Sequence, residues 1–292
     1  MRWLLGCLVL FAACKASSGA STGTGTGTGA GTGSAMRIAS LSPSNSEILY
    51  AVGCGDRVVL RDRATNYPAA ATKLPATDPF HLSPTHVAGY RPSLVLLSHA
   101  DAARVAVLRR VGLAVHTFDP RTLDQVFDSI VAIGKLCGAA KPARALVATL
   151  RARVAAVQKR VAGRPRPRVY IEIDGSDPAR PWVAGKGSFV DDLLRRAGGR
   201  NALTQLGKPY AQVNAETAAL SKPDVILLPA APGHEGRMRA RLRQRPGWSK
   251  LAAVANGKVI DTISRDVLSR PGPRLVEGLE ALARALHGEG LR

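Results

Sequence analysis

Aromatic residues make up only 4% of this 292-residue chain, cysteine occurs four times and methionine three times. So few rings cannot supply a core built on aromatic stacking, so the 46% hydrophobic content rests on Ala, Val, Leu and Ile. Four cysteines exclude a disulfide-dense mini-fold. Acidic residues are scarce too, with none between Asp128 and Glu172 and none between Glu235 and Asp261, while Lys and Arg recur through both gaps. The formal charge is +20. Such a surface attracts polyanions by counterion release, and a polyanion-binding envelope protein is the distant alternative that charge alone suggests. Its signature would be salt-sensitive retention on heparin without affinity for any small ligand.

Long hydrophobic runs are missing as well. The longest stands at the start, where Arg2 precedes "WLLGCLVLFAA", roughly a dozen residues against the ~20 that a membrane span needs. It reads as a signal peptide over residues 1–13, ended by Ala12-Ala13-Cys14 in the manner of a lipobox, with Cys14 as the lipidation site. Residues 14–35, "CKASSGASTGTGTGTGAGTGSA", have almost no apolar area to offset the entropy of ordering, which predicts a flexible tether. The expected location is exported, on the periplasmic side and membrane-anchored, where nucleic acid is not the partner. Two cysteines fall at the export signal; Cys54 and Cys137 remain, either pairing in an oxidising exterior or standing as two buried thiols.

Enzyme signatures are absent. There is no G-x-S-x-G elbow, no H-E-x-x-H and no Walker loop, and "GKGS" at 185–188 lacks the glycine spacing of one. The chain therefore reads as a non-enzyme without a cofactor of its own. His81, His86, His99 and His234 stand near predicted strand ends, but the first strand's loop, "SPSNSE", contributes no histidine, so no metal site is expected.

What is present is one plan used twice. "SPTHVAGYRPSLVLLS" at 83–98 and "NAETAALSKPDVILLP" at 214–229 share a capping residue, a short helix, a basic residue, Pro and a buried strand. At the same offset "RIASL" from Arg37 matches "RVYIE" from Arg168, and "GLAVHTF" later pairs with "GKVIDTI" after an insertion of about fourteen residues. Alternating strands and helices predict an α/β protein of two similar lobes, 36–138 and 165–292, each a parallel-rich central sheet flanked by helices. Ser44 to Glu47 and Thr122 to Gln125 have capping-box spacing, and Ser83-Pro84 sets proline at a first helical position. Between the lobes, over 139–164, Ala143, Leu146, Val147, Leu150, Val154, Val157 and Val161 recur at helical spacing and predict one long backbone helix, stopped by "GRPRPR".

The ordered segments "RIASLSPSNSEILYAVG", "NYP", "LSP", "RPSLVLL", "AGKGSFVDDLLRRAGGRNA", "KPYAQVNAETAALSKPDVILL" and "RPGPRLVEGLEALA" resemble the helical-backbone (class III) substrate-binding proteins of ABC importers. These are receptors for cobalamin, ferric siderophores and haem, and the resemblance covers nearly all of the chain after Met36. It implies a monomeric receptor working with permease and ATPase subunits, its ligand a cobalt corrinoid or iron chelate. The cobalamin binders are the nearest likeness. By that likeness Tyr67, Trp182 and Tyr210 are ligand-side aromatics, and Asp266 and Arg270 a polar pair lining the pocket; Phe80 joins the aromatics because rings are so scarce and these four fall in predicted loops, where core packing would not want them. Pro79 and Ser98 stand where those receptors tend to place tryptophan. The family's permease-docking glutamates correspond to Glu216 in the second lobe and Thr85 in the first, where either Asp78 or Asp101 serves instead or the permease is an unusual one. For haem, Tyr67, His81, His99 or Tyr210 could supply an axial ligand.

Overall fold

The computed structural model describes residues 36–98, 102–231 and 233–288. The signal peptide, the tether with Cys14, and His99 and Asp101 lie outside the described residues.

Strands β1 (Ile38–Leu41), β2 (Val58–Asp62), β3 (Ala76–Thr77), β4 (Leu94–Ser98) and β5 (Val115–Phe118) form a parallel sheet in the order β3-β2-β1-β4-β5. β1 and β4 are apolar runs buried almost end to end, as strands covered on both faces must be. The second sheet uses β6 (Arg168–Asp174), β7 (Trp182–Ala184), β8 (Arg200–Asn201), β9 (Tyr210–Gln212), β10 (Val225–Leu227) and β11 (Val259–Ile260). Its parallel part runs β8-β6-β10-β11, the same order as β2-β1-β4-β5 in the first sheet, so the repeated sequence plan is a repeated topology. β7 and β9, paired with each other, are antiparallel additions beside β6.

Helices α1 (Pro43–Ala51), α2 (Ala69–Thr72), α3 (Pro84–Gly89), α4 (Ala102–Arg110) and α5 (Leu123–Leu136) belong to the first lobe. α6 (Ala140–Val161) connects the lobes, and at 1.5 Å per residue its 22 residues make a rod of about 33 Å. It buries Ala143, Val147, Leu150, Val154, Val157 and Val161, with Leu146 half-buried at the edge of the stripe. The second lobe carries α7 (Phe189–Arg196), α8 (Ala215–Leu220), α9 (Met238–Arg243), α10 (Ala252–Ala255), α11 (Arg265–Ser269) and α12 (Leu275–His287). The fourteen-residue insertion is where α9 and α10 sit, between β10 and β11.

One apolar cluster runs without a break from Ile48 and Phe127 in the first lobe, through Val147 and Val154 of α6, to Leu193 and Leu279 in the second. The lobes are thus joined by a common core as well as by a helix, and separating them would expose buried apolar surface at about 25 cal/mol per Å². Cys54 and Cys137 form a disulfide that ties the end of α1 to the end of α5.

One local expectation fails. Helix α1 starts at Pro43 with Ser42 as its N-cap, so Ser44 lies inside the helix and makes no capping box with Glu47. Ser44 bonds the Ser42 hydroxyl instead, and the Glu47 carboxylate goes to arginines of the other lobe. The other two signals act as helix starts: Ser83 accepts from the His86 amide, and Thr122 from the Gln125 amide.

Candidate functional site

In both sheets the chain reverses its direction of winding beside the central strand, at β1/β4 and at β6/β10, and ligands of open parallel sheets sit beyond the carboxyl ends of strands at such points. The segments leaving those ends meet between the lobes. Asp119, Pro120 and Arg121 follow β5; Gly187, Ser188 and Phe189 follow β7; Pro209 and Tyr210 enter β9; Ser269 ends α11 and Pro271 comes after it. Together they line a cavity of about 260 Å³. Gly187, at φ +82°, turns the rim in the left-handed region that a side chain would resist.

The predicted aromatics are all poorly buried: Tyr67 is 46% exposed, Phe80 73%, Trp182 43% and Tyr210 44%. Trp182 and Tyr210 are not loop residues as expected but members of the antiparallel β7/β9 pair, where Trp182 pairs with Gln212 and Ala184 with Tyr210. That register puts both rings on one face of the pair, diagonal to each other, while Val183 on the opposite face is buried in the core. Of the six predicted ligand-side residues, Tyr210 alone lines the cavity. Burial pushes its hydroxyl pKa up, helped by Asp119 and opposed by the Phe189 amide. Phe80 lies under the Arg104 guanidinium at 5.6 Å, and among the described residues no ring contact joins any two of these four aromatics.

Tyr67 has a partner the sequence did not announce. The Arg274 guanidinium sits 4.1 Å from the centre of its ring and donates two hydrogen bonds to the buried Glu47 carboxylate, at 2.6 and 2.9 Å. That carboxylate raises the Arg274 pKa. Asp266 and Arg270, the predicted polar pair, lie beside this pair and are bonded to each other and to the first lobe. Arg270 pairs with Asp266 at 3.1 Å and reaches across to Asn66 at 2.5 Å and the Ala64 carbonyl at 3.2 Å, while Asn66 donates to Asp266 at 2.8 Å. Asn66, Ala64 and Glu47 belong to the first lobe and Asp266, Arg270 and Arg274 to the second, so the pair is half of an interlobe clasp. The signal available in the sequence was the arginine spacing of "RPGPR", which gives no hint of which carboxylate each one finds.

A second clasp lies at the foot of α5. Asp192 of α7 accepts from the Leu123 amide at 3.0 Å, satisfying a helix-start donor of the other lobe, and Arg196 bonds Asp124 at 2.7 Å. Arg196 draws the Asp124 pKa below the ordinary carboxylate value.

Thr85 and Glu216 occupy the second position of α3 and α8, equivalent helices of the two lobes, and both are exposed. Asp78 is held by Arg63, His81 and the Phe80 amide, which removes it as a ready substitute for Thr85. Among the described residues no three His, Cys, Asp or Glu side chains cluster as metal ligands: His81 bonds Asp78 and His86 lies edge-on to Tyr90. No described helix is long and apolar enough to cross a membrane.

Comparison with known proteins adds an independent line. The sequence profile of the family described as periplasmic binding protein matches residues 38–265. An uncharacterised ABC transporter substrate-binding lipoprotein of Bacillus subtilis, YvrC, is 31% identical over 86% of this chain and 80% of its own. A cobalamin-binding protein of Halobacterium salinarum is 28% identical over 86% of this chain and 69% of its own. Among solved structures, a periplasmic haem-binding protein of Pseudomonas aeruginosa superposes with a TM-score of 0.74 at 27% identity, covering 86% of this chain and 92% of that one.

Proposed function

The chain belongs to the periplasmic binding protein family, and from that premise we propose that it captures a cobalamin-type corrinoid between its lobes and delivers it to an ABC permease. The observation that carries this reading is the exposure of Tyr67, Phe80, Trp182 and Tyr210 in a chain so poor in rings. Core packing would have buried them. A broad, partly apolar macrocycle gains from such rings, with a few polar groups fixing its orientation. The cavity of about 260 Å³ lies below the ~300–1,000 Å³ of ordinary small-molecule sites, so the ligand would rest across the cleft mouth on these rings rather than enter whole. The cobalamin-binding relative from Halobacterium supports the same ligand class.

A haem or ferric siderophore receptor is the second reading, favoured by the likeness to the Pseudomonas haem-binding protein and by the exposed Tyr67, a phenol that could reach a ferric ion. Under either reading the body hangs from a lipid on Cys14 by the 14–35 tether, as the description of YvrC as a lipoprotein supports. Glu216 would dock one lobe on the permease, Thr85 would leave the other contact without an ion pair, and partner subunits would hydrolyse the ATP. The common core and the two clasps resist wide opening, so closure is a small rocking and release requires the permease to separate the lobes.

The test is calorimetric titration of the purified chain with cobalamin, beside absorbance titrations with hemin and a ferric hydroxamate. Saturable one-to-one binding of cobalamin supports the corrinoid reading. Silence with cobalamin and a shifted Soret band with hemin would replace it by the haem reading.

A further inference from the structure

Charge is sorted between the inside and the outside of this protein. Seven carboxylates among the described residues are buried, against a single buried cation, Arg245. The surface is therefore more positive than a formal charge of +20 conveys. Part of the excess lines a second cavity, of about 770 Å³, at the start of α7 and the end of β8. Arg166, Lys186, Arg195 and Arg200 line it, and Asp191 is the one carboxylate among its lining residues. Asp191 is already engaged: it accepts from the Gly187 amide at 3.2 Å and from Arg195 at 3.4 Å. Arg195 is further held by Asp192 at 2.9 Å, and Arg166 by the Gly199 carbonyl at 3.0 Å.

Two guanidiniums, those of Arg166 and Arg195, are thus held by bonds that leave other N–H groups of each unused, and Lys186 and Arg200 stand beside them; all four residues are exposed. Pre-anchored guanidiniums lose little entropy on binding an oxyanion and match a phosphate in bidentate fashion. The interlobe cavity is different in kind, with Asp119 balancing Arg121. Gly187 lines both, so a single loop separates the two.

We infer that the cavity bounded by Arg166, Lys186, Arg195 and Arg200 is a binding site for a phosphate group carrying more than one negative charge, distinct from the interlobe cleft. Arg195 is paired with Asp191 and Asp192, and Arg166, Lys186 and Arg200 add an excess of positive charge that suits a diphosphate or adjoining phosphate esters. Soluble phosphate esters and the headgroups of an anionic membrane share this chemistry. The inference does not rest on the identity of the cleft ligand.

The test is calorimetric titration of the full chain with inorganic pyrophosphate at physiological ionic strength, comparing two variants of equal net charge. One carries Lys186→Glu and Arg200→Glu; the other carries Lys141→Glu and Arg144→Glu on the exposed side of α6. The chain should bind one equivalent, and the cavity variant should lose at least about tenfold in affinity, since each charged hydrogen bond is worth about that much. The α6 variant should stay within about twofold, as screened charges outside the cavity require. If the cavity variant melts early, Lys186→Gln with Arg200→Gln replaces it. Absence of saturable binding, or equal weakening by both charge reversals, overturns the site in favour of a diffuse basic surface. Flotation with phosphatidylglycerol vesicles then separates the sources. Retention that pyrophosphate displaces assigns the site to headgroups; no retention beside one-to-one pyrophosphate binding assigns it to soluble phosphate esters.

Discussion

Glu47 and Arg274 stand 227 residues apart in sequence and form a two-toothed ion pair across the interlobe boundary, with Arg274 also lying against the Tyr67 ring. One guanidinium thereby does two things: it satisfies a buried carboxylate of the first lobe and fixes the ring that a ligand is proposed to meet.

Substituting Arg274 should therefore affect stability and binding together. Arg274→Met leaves the Glu47 carboxylate with only Arg270, at 3.7 Å, and removal of one partner from a buried pair costs about 3–5 kcal/mol; Arg270 should hold the loss to the lower end. Arg274→Lys should recover little, because an ammonium cannot offer two parallel donors and stack at once. Denaturant unfolding of both variants is the measurement. Pairing Arg274→Met with Glu47→Gln should restore part of the lost stability, and failure to do so would mean that the carboxylate is satisfied without Arg274.

Tyr67 separates the two ligand readings. Under the corrinoid reading the ring acts by packing, so Tyr67→Phe should bind cobalamin within about twofold of the original, while Tyr67→Ala should lose roughly tenfold, the worth of an aromatic contact of about 0.5–1.5 kcal/mol with its buried area. Under the haem reading the hydroxyl is the ligand. Tyr67→Phe would then lose the hemin spectrum as completely as Tyr67→Ala does. Titration of the three proteins with both ligands checks this.

The scaffold was legible in the sequence and the clasps were not, for physical reasons. Buried parallel strands such as "LVLLS" at 94–98 and the stripe from Ala143 to Val161 are local patterns of period or run length, and they reappear as β4 and α6. Ser44 and Glu47 carried an equally local signal, and it misled, because a carboxylate can leave its own helix for a guanidinium elsewhere in the chain. Trp182 and Tyr210 read as loop residues since β7 and β9 have only three residues each, too few to display alternation, and Pro181 and Pro209 flank them. Which ring faces a ligand depended on that unseen β7/β9 register.

Acid should loosen the foot of α5. Arg196, by its hydrogen bond first and its charge as well, holds the Asp124 pKa below the ordinary value of 3.8. A carboxyl depressed in the folded state adds stability that is complete above its unfolded pKa and is lost as pH falls through the folded one. The contribution should therefore be full at neutral pH and decline from about pH 4 downward. Asp124→Asn should lower stability at neutral pH and flatten the acid limb of a stability-against-pH curve. Parallel acid limbs in the two proteins would show that Asp124 carries no linkage. Its side chain is 48% exposed, so solvent screening keeps the effect small.

The second lobe hangs on a different buried pair. Arg245 donates to both oxygens of Glu172 at 2.6 and 2.8 Å, its guanidinium lies 5.2 Å from the centre of the Trp248 ring, and Trp248 meets Tyr170 edge-on at 5.4 Å. Glu172 lies on β6, the strand that pairs with β7 and through it carries the β7/β9 pair with Trp182 and Tyr210. Arg245→Leu would leave an uncompensated carboxylate inside this group, and about 3–5 kcal/mol of stability should go with it. Glu172→Gln with Arg245→Leu should be milder than Arg245→Leu alone, since no buried charge remains. Because the β7/β9 pair takes its position from β6, ligand affinity should fall in the single variant even where it stays folded. Unfolding midpoints together with cobalamin and hemin titrations measure both effects, and a folded Arg245→Leu protein with undiminished affinity for either ligand would mean that β7 and β9 hold their rings without help from the Glu172 pair.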